Sequence, residues 1–117
     1  RVYELVRYRN ALAEKAVVPD SVLDRAPSAE LRANQTDQDS LPAYSVLDEI
    51  LMDHIEKHRS FKQILKKVND PDLVRKVLRL VDQSEYKRRQ APPGVKITPR
   101  AFGKDWRLPI TNKYREY

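Results

Sequence analysis

The chain has 117 residues, 34% of them charged and 40% apolar, enough for one domain with one modest core. No cysteine is present, which excludes disulfides, thiolate catalysis and sulfur-rich metal sites from this segment. No apolar run approaches the roughly 18 residues of a membrane span, and no charged stretch followed by an apolar one marks a secretion signal; we expect a cytoplasmic protein.

The net charge of +6 is unevenly placed. Residues 1–58 hold 7 Lys+Arg against 11 Asp+Glu, and residues 59–117 hold 16 against 6. Such asymmetry suggests that the basic half faces a polyanion, a nucleotide or an acidic neighbour; a solvated basic face without a ligand is the plainer alternative. The chain opens at Arg1 directly in a helical pattern, and we read it as a piece of a longer polypeptide.

Residues 2–14 carry Val2, Leu5, Val6, Arg9, Leu12 and Ala13 on one helical face. Pro19 ends that helix, and Asp20 suits the cap of a short one through Ser21–Asp24. A polar run rich in Asn, Gln, Thr and Asp then reaches Ser40, and we read it as a long exposed loop of the kind that is functional or disordered. Pro42 suits the first turn of the next helix. Its apolar stripe is Leu47, Ile50, Leu51, His54 and Ile55. Ser60 and Gln63 form a capping-box pair ahead of Phe61, Ile64, Leu65 and Val68. Asp70-Pro71 starts another helix, carried by Val74, Val77, Leu78 and Val81 to about Lys87. Residues 91–117 hold four prolines and no helical period, yet contain Phe102, Trp106, Ile110, Tyr114 and Tyr117. That is too apolar for a disordered tail, and we expect it to lie across a surface.

The stretch from Glu85 to Arg100 places five cations in sixteen positions, more than helix capping requires, and suggests a site for phosphate. Tyr86 and Lys87 set an aromatic hydroxyl beside a point charge; alone, such a pair is more often ordinary surface. Ser28, after Pro27 and beside Ala29, can donate to a phosphate oxygen, though a Ser after Pro is more often a turn or a cap. His54 and His58 have a spacing that can bind zinc, but one packed and one exposed His is the favoured reading. Asp48, Glu49, Asp53 and Glu56 read as a solvated helix face. With only Gly94 and Gly103 in the chain, no glycine-rich loop can cradle a phosphate, and no catalytic triad has recognisable spacing.

Three motifs join these signals. Pro27-Ser28-Ala29-Glu30-Leu31, then Asn34-Gln35-Thr36-Asp37-Gln38-Asp39-Ser40-Leu41-Pro42 and Tyr44-x-x-Leu47-Asp48 resemble the loop and following helix of NAD+ synthetases. Glu85-Tyr86-Lys87-Arg88-Arg89-Gln90-Ala91-Pro92-Pro93 resembles that family's C-terminal signature. Val95 to Gly103, with Arg107-x-Pro109-Ile110-Thr111-Asn112, is similar to the bacterial glutamine-dependent type.

The resemblance implies an ATP- and Mg2+-dependent ligase. It would adenylate nicotinic acid adenine dinucleotide, and ammonia from glutamine, released by a separate N-terminal amidase domain, would displace AMP to give NAD+. Ser28 would contact ATP phosphate; Tyr86 and Lys87 would contact the dinucleotide. The family's pyrophosphate loop, its Mg2+ carboxylates and its glutaminase residues are not in this chain, so no catalytic or metal residue is assigned here and the fragment alone is expected to be inactive. Residues 1–117 would be the C-terminal part of the synthetase domain, with a mobile substrate loop over 26–41 and an extended basic tail over 91–117. We therefore expect a mainly α-helical fragment of four or five helices within an α/β, adenine-nucleotide-hydrolase-like domain whose parallel sheet is built from residues outside it. The resemblance further implies a homo-oligomer with no membrane or nucleic-acid partner. The alternative from another class is a small basic helical module that binds nucleic acid, motivated by the charge of residues 59–117.

Overall fold

A computed structural model describes residues 1–29, 31–115 and 117. Among the described residues there are six α-helices and no β-strand. The chain divides into two compact units, Arg1–Ser40 and Leu41–Tyr117.

The first unit holds α1 (Val2–Ala11), α2 (Asp20–Asp24) and a 3-10 turn (Asp37–Asp39). Helix α1 stops three residues earlier than the period suggests, because the chain turns back on the Asn10 side chain. Asn10 Oδ1 accepts from the amides of Val17 and Val18, both at 3.0 Å, and its Nδ2 donates to the Val18 carbonyl at 2.8 Å. Asp20 lies inside α2, whose N-cap is Pro19, so the expected Asp20 cap is not made. Neither helix buries a residue within this chain; Val2, Leu5, Tyr8 and Leu12 stay exposed. The polar run has its own order. The Asp37 amide donates to the Pro27 carbonyl at 2.9 Å and closes the loop. Thr36 and Asp39 form a capping box, with the Thr36 hydroxyl and the Asp39 carboxylate 2.9 Å apart. The Asp39 carboxyl is held below its ordinary value by hydrogen bonds from the Thr36 backbone and then its side chain.

The second unit carries the core. Helix α3 (Tyr44–Leu51) starts at an Ala43 cap, so Pro42 precedes the helix and sits outside its first turn. It continues as one π turn, Met52–Glu56. Helix α4 (Phe61–Val68) begins at the expected box: the Ser60 amide donates to Gln63 Oε1 at 2.9 Å. It ends at Asn69 in the left-handed region, φ 51°, where Asn is among the few residues tolerated. Asp70 then caps α5 (Pro71–Gln83), accepting from the Leu73 amide at 2.9 Å. With only Asn69 and Asp70 between them, α4 and α5 pack as neighbours, and α3 lies against both. Ile50, Ile64, Val74, Val77 and Leu78 are buried where the three meet, each side chain contributing about 1.5–3 kcal/mol by leaving water.

The helix expected to run to Lys87 breaks at Ser84. The Ser84 amide is shared between the Leu80 and Val81 carbonyls, at 3.1 and 3.3 Å, which tightens the last turn. The chain restarts as α6 (Glu85–Gln90). The tail from Ala91 has no helix or strand among its described residues and folds back on its own unit, within hydrogen-bond and ring contact of α5, α6 and the π turn.

Candidate functional site

The basic stretch divides sharply by role. Glu85 is 1% exposed and collects most of the charge around it. Its Oε2 accepts from Arg88 Nη2 at 2.8 Å and from the Leu108 amide at 3.2 Å. Its Oε1 accepts from Arg89 Nε at 2.9 Å, with Arg107 Nη1 at 3.6 Å. Burial pushes the Glu85 carboxyl up, but Arg89, Arg88 and the Leu108 amide outweigh it and lower the group to about 2. Arg88 is itself buried. It donates to the Val81 carbonyl at 2.6 Å and lies over the Phe102 ring at 4.9 Å. Arg89 reaches the Leu108 carbonyl at 3.0 Å. These two arginines, counted in sequence among the phosphate-facing cations, hold α6 and the tail together.

Tyr86 and Lys87 are exposed on α6 and stand outside the Glu85 cluster. Tyr86 is 48% exposed and Lys87 is exposed. Lys87 Nζ stands 6.0 Å from the Tyr86 ring and makes no ion pair with a described residue. The arrangement offers an aromatic face, a phenol and a mobile cation side by side on a held helix. That set can stack on a ring, hydrogen-bond, and neutralise a phosphate.

Ser28 belongs to the first unit. It is half-buried and lines a cavity of about 270 Å³ with Tyr3, Val22, Arg25, Ala26 and Pro27. Arg25 was not singled out from the sequence, yet it lines the same cavity as Ser28. Glu30 of the Pro-Ser-Ala-Glu-Leu run lies outside the described residues.

Two further readings are settled in the second unit. Asp53 is buried, contrary to the solvated face expected for it. It accepts from Lys57 at 2.9 Å, Arg59 at 2.9 Å and Lys67 at 3.0 Å. Burial raises its carboxyl, but hydrogen bonds from Lys57 and Lys67 and the Arg59 charge leave it below its ordinary value. The Lys57 partner was legible as an i,i+4 pair; Arg59 and Lys67 arrive from the following loop and from α4. His54 is half-buried and His58 exposed, and both lie on Trp106, at 4.9 and 5.4 Å between ring centres. Both rings meet the tail at this tryptophan. No group of three or more His, Asp or Glu among the described residues is placed to hold a metal ion, and no helix is long and apolar enough to cross a membrane.

Comparison with known proteins gives the family. The profile of the family described as NAD synthase matches residues 1–91, and the chain belongs to that family. It is 53% identical over 113 residues to the glutamine-dependent NAD(+) synthetase of Aquifex aeolicus, covering 97% of this chain and 20% of that protein. It is 53% identical over 114 residues to the enzyme of the same description from Acinetobacter baylyi, covering 97% of this chain and 21% of that one. Among solved structures it is similar to glutamine-dependent NAD+ synthetase from Acinetobacter baumannii in complex with adenosine diphosphate, with a TM-score of 0.62 and 43% identity, covering 99% of this chain and 19% of that one. The chain thus spans about one fifth of the length of these relatives.

Proposed function

We propose that this chain is the C-terminal part of the ammonia-ligase domain of a glutamine-dependent NAD+ synthetase, and that it supplies substrate contacts rather than reacting groups. The observation that carries this reading is the sorting within α6: Glu85 and Arg88 are buried and the exposed Arg89 is paired to Glu85, while Tyr86 and Lys87 stay exposed without an ion pair to a described residue. The pair would bind nicotinic acid adenine dinucleotide, with Lys87 on a phosphate or ribose and Tyr86 stacked or hydrogen-bonded. Ser28, supported by Arg25 in the same cavity, would donate to an ATP phosphate.

ATP and Mg2+ fit this donor set in one respect only. The chain offers hydroxyl and cationic partners for phosphate, and the carboxylates for Mg2+ and the pyrophosphate loop belong to the rest of the protein. When bound, the metal would neutralise charge developing on the leaving pyrophosphate. The parent domain would be α/β, and its parallel sheet would cover the α1 face that carries Val2, Leu5 and Leu12. Residues 26–41 would close over the bound nucleotide and exclude water, and residues 91–117 would form the basic tail. Ammonia would reach the site from an N-terminal amidase domain, in a homo-oligomer of the cytoplasm, and this segment alone would be inactive.

The nucleic-acid alternative rested on the basic half of the chain, and much of that charge is taken up internally. Five of its cations, Arg59, Lys67, Arg88, Arg89 and Arg107, lie on the buried carboxylates of Asp53 and Glu85. The test uses the full-length protein with nicotinic acid adenine dinucleotide, ATP, Mg2+ and glutamine, following NAD+ with a coupled dehydrogenase. NAD+ formation that requires all four supports the reading. No NAD+ with either glutamine or free ammonia overturns it.

A further inference from the structure

We propose that Glu85 is a positioning residue for the Tyr86–Lys87 pair, and that it acts jointly with the tail residues Arg107 and Leu108. This rests on the reading of Tyr86 and Lys87 as dinucleotide contacts.

Helix α6 has six residues, too few to hold a conformation by its own hydrogen bonds. Something outside the helix must fix where its exposed side chains stand. The break at Ser84 removes the simplest support, continuity with α5. What replaces it is a cluster built on one carboxylate. Arg88 links Glu85 to the last turn of α5 through the Val81 carbonyl. Arg89 and Glu85 together grip both backbone groups of Leu108, its amide on Glu85 and its carbonyl on Arg89. Both oxygens of Glu85 are therefore filled, one by Arg88 and the Leu108 amide, the other by Arg89 with Arg107 nearby.

The next residues in the chain are Tyr86 and Lys87. A carboxylate that fixes the first turn of a short helix fixes the origin of the two side chains that follow it. Arg107 and Leu108 also lie beyond residues 1–91, the part matched by the NAD synthase profile, but inside the stretch shared with the glutamine-dependent relatives. The tail is thus a strut that completes the support of α6.

Steady-state kinetics of full-length variants test this. Glu85→Gln keeps the shape but exchanges one acceptor oxygen for a donor that faces Arg or the Leu108 amide. It should raise KM for nicotinic acid adenine dinucleotide by about tenfold to a hundredfold, with KM for ATP changed far less and glutamine hydrolysis intact. Arg107→Ala, an exposed change on the same carboxylate, should raise the same KM by a smaller factor. If Glu85→Gln does not fold, Arg107→Ala decides the question alone. An unchanged dinucleotide KM in whichever variants fold, in a protein that does make NAD+, overturns the positioning role and leaves the reading of the pair standing. Equal losses for dinucleotide, ATP and glutamine hydrolysis also overturn it, since they mark general unfolding. A wild-type protein that forms no NAD+ removes the underlying reading and this proposal with it.

Discussion

The Tyr117 hydroxyl donates a 2.6 Å hydrogen bond to the carboxylate of Asp82, 35 residues earlier in the chain. Its ring also lies 6.1 Å from that of Phe61, and Arg115 reaches the same carboxylate at 3.5 Å. The end of the tail is thereby fastened to α5 beside the core. Burial first, and the Asp82 acceptor next, raise the phenol above its ordinary 10.0. A group whose folded value is raised stabilises fully below its unfolded value and loses that contribution as pH climbs beyond it.

Tyr117→Phe should therefore lower stability by about 1–2 kcal/mol at neutral pH, the worth of one hydrogen bond to a charged acceptor with partial compensation by Arg115. Urea unfolding measures it. The wild-type protein should also lose stability above about pH 10, and the Phe variant should show a shallower alkaline limb.

Asp53→Asn should cost about 3–5 kcal/mol, because three cations are left around a group that no longer balances them. The carboxyl is lowered from 3.8, so its contribution is present above that pH and fades as pH falls below it. Glu85 extends the same acid limb, from its ordinary 4.5 down towards about 2. Acid titration of unfolding should show a flatter limb below about pH 4 in the Asn variant; equal limbs would remove the assigned role of Asp53.

Leu78 is 1% exposed in the middle of the α3–α4–α5 contact. Leu78→Ala should destabilise by about 2–5 kcal/mol through lost burial and the cavity left behind. A change within half a kilocalorie per mole of zero, about the size of a surface substitution, would mean that the core does not close around this residue.

Asn69 ends α4 at φ 51°. Glycine there should be neutral within a few tenths of a kcal/mol, whereas Asn69→Val should cost about 1–2 kcal/mol from the left-handed backbone alone. Thermal unfolding of the two variants side by side separates this from any packing effect.

Two helix starts were legible, because Ser60-x-x-Gln63 and Asp70-Pro71 act through neighbours in sequence; the starts expected at Asp20 and Pro42 were not made. The core was legible as well, since Ile50, Ile64, Val74, Val77 and Leu78 repeat at helical spacing. The break at Ser84 was not, as nothing in its neighbours forbids a helix; the helix after it is held through Glu85, whose partners include Leu108, 23 residues away. Asp53 was misread for a similar reason: two of its three cations come from outside its own helix. For the site, the sequence singled out Tyr86 and Lys87 as a pair. It could not separate them from Arg88 and Arg89, because which cation is paired depends on a carboxylate whose burial is a tertiary property. Arg25 shares the Ser28 cavity only through the path of the chain between α2 and the loop.

The central claim is that the exposed α6 pair holds the dinucleotide, and Lys87→Ala in the full-length protein tests it most directly. The account predicts that KM for nicotinic acid adenine dinucleotide rises by about tenfold or more, the loss of one charge-assisted contact, while KM for glutamine stays as in the wild type. A Lys87→Ala enzyme with both constants unchanged would contradict it.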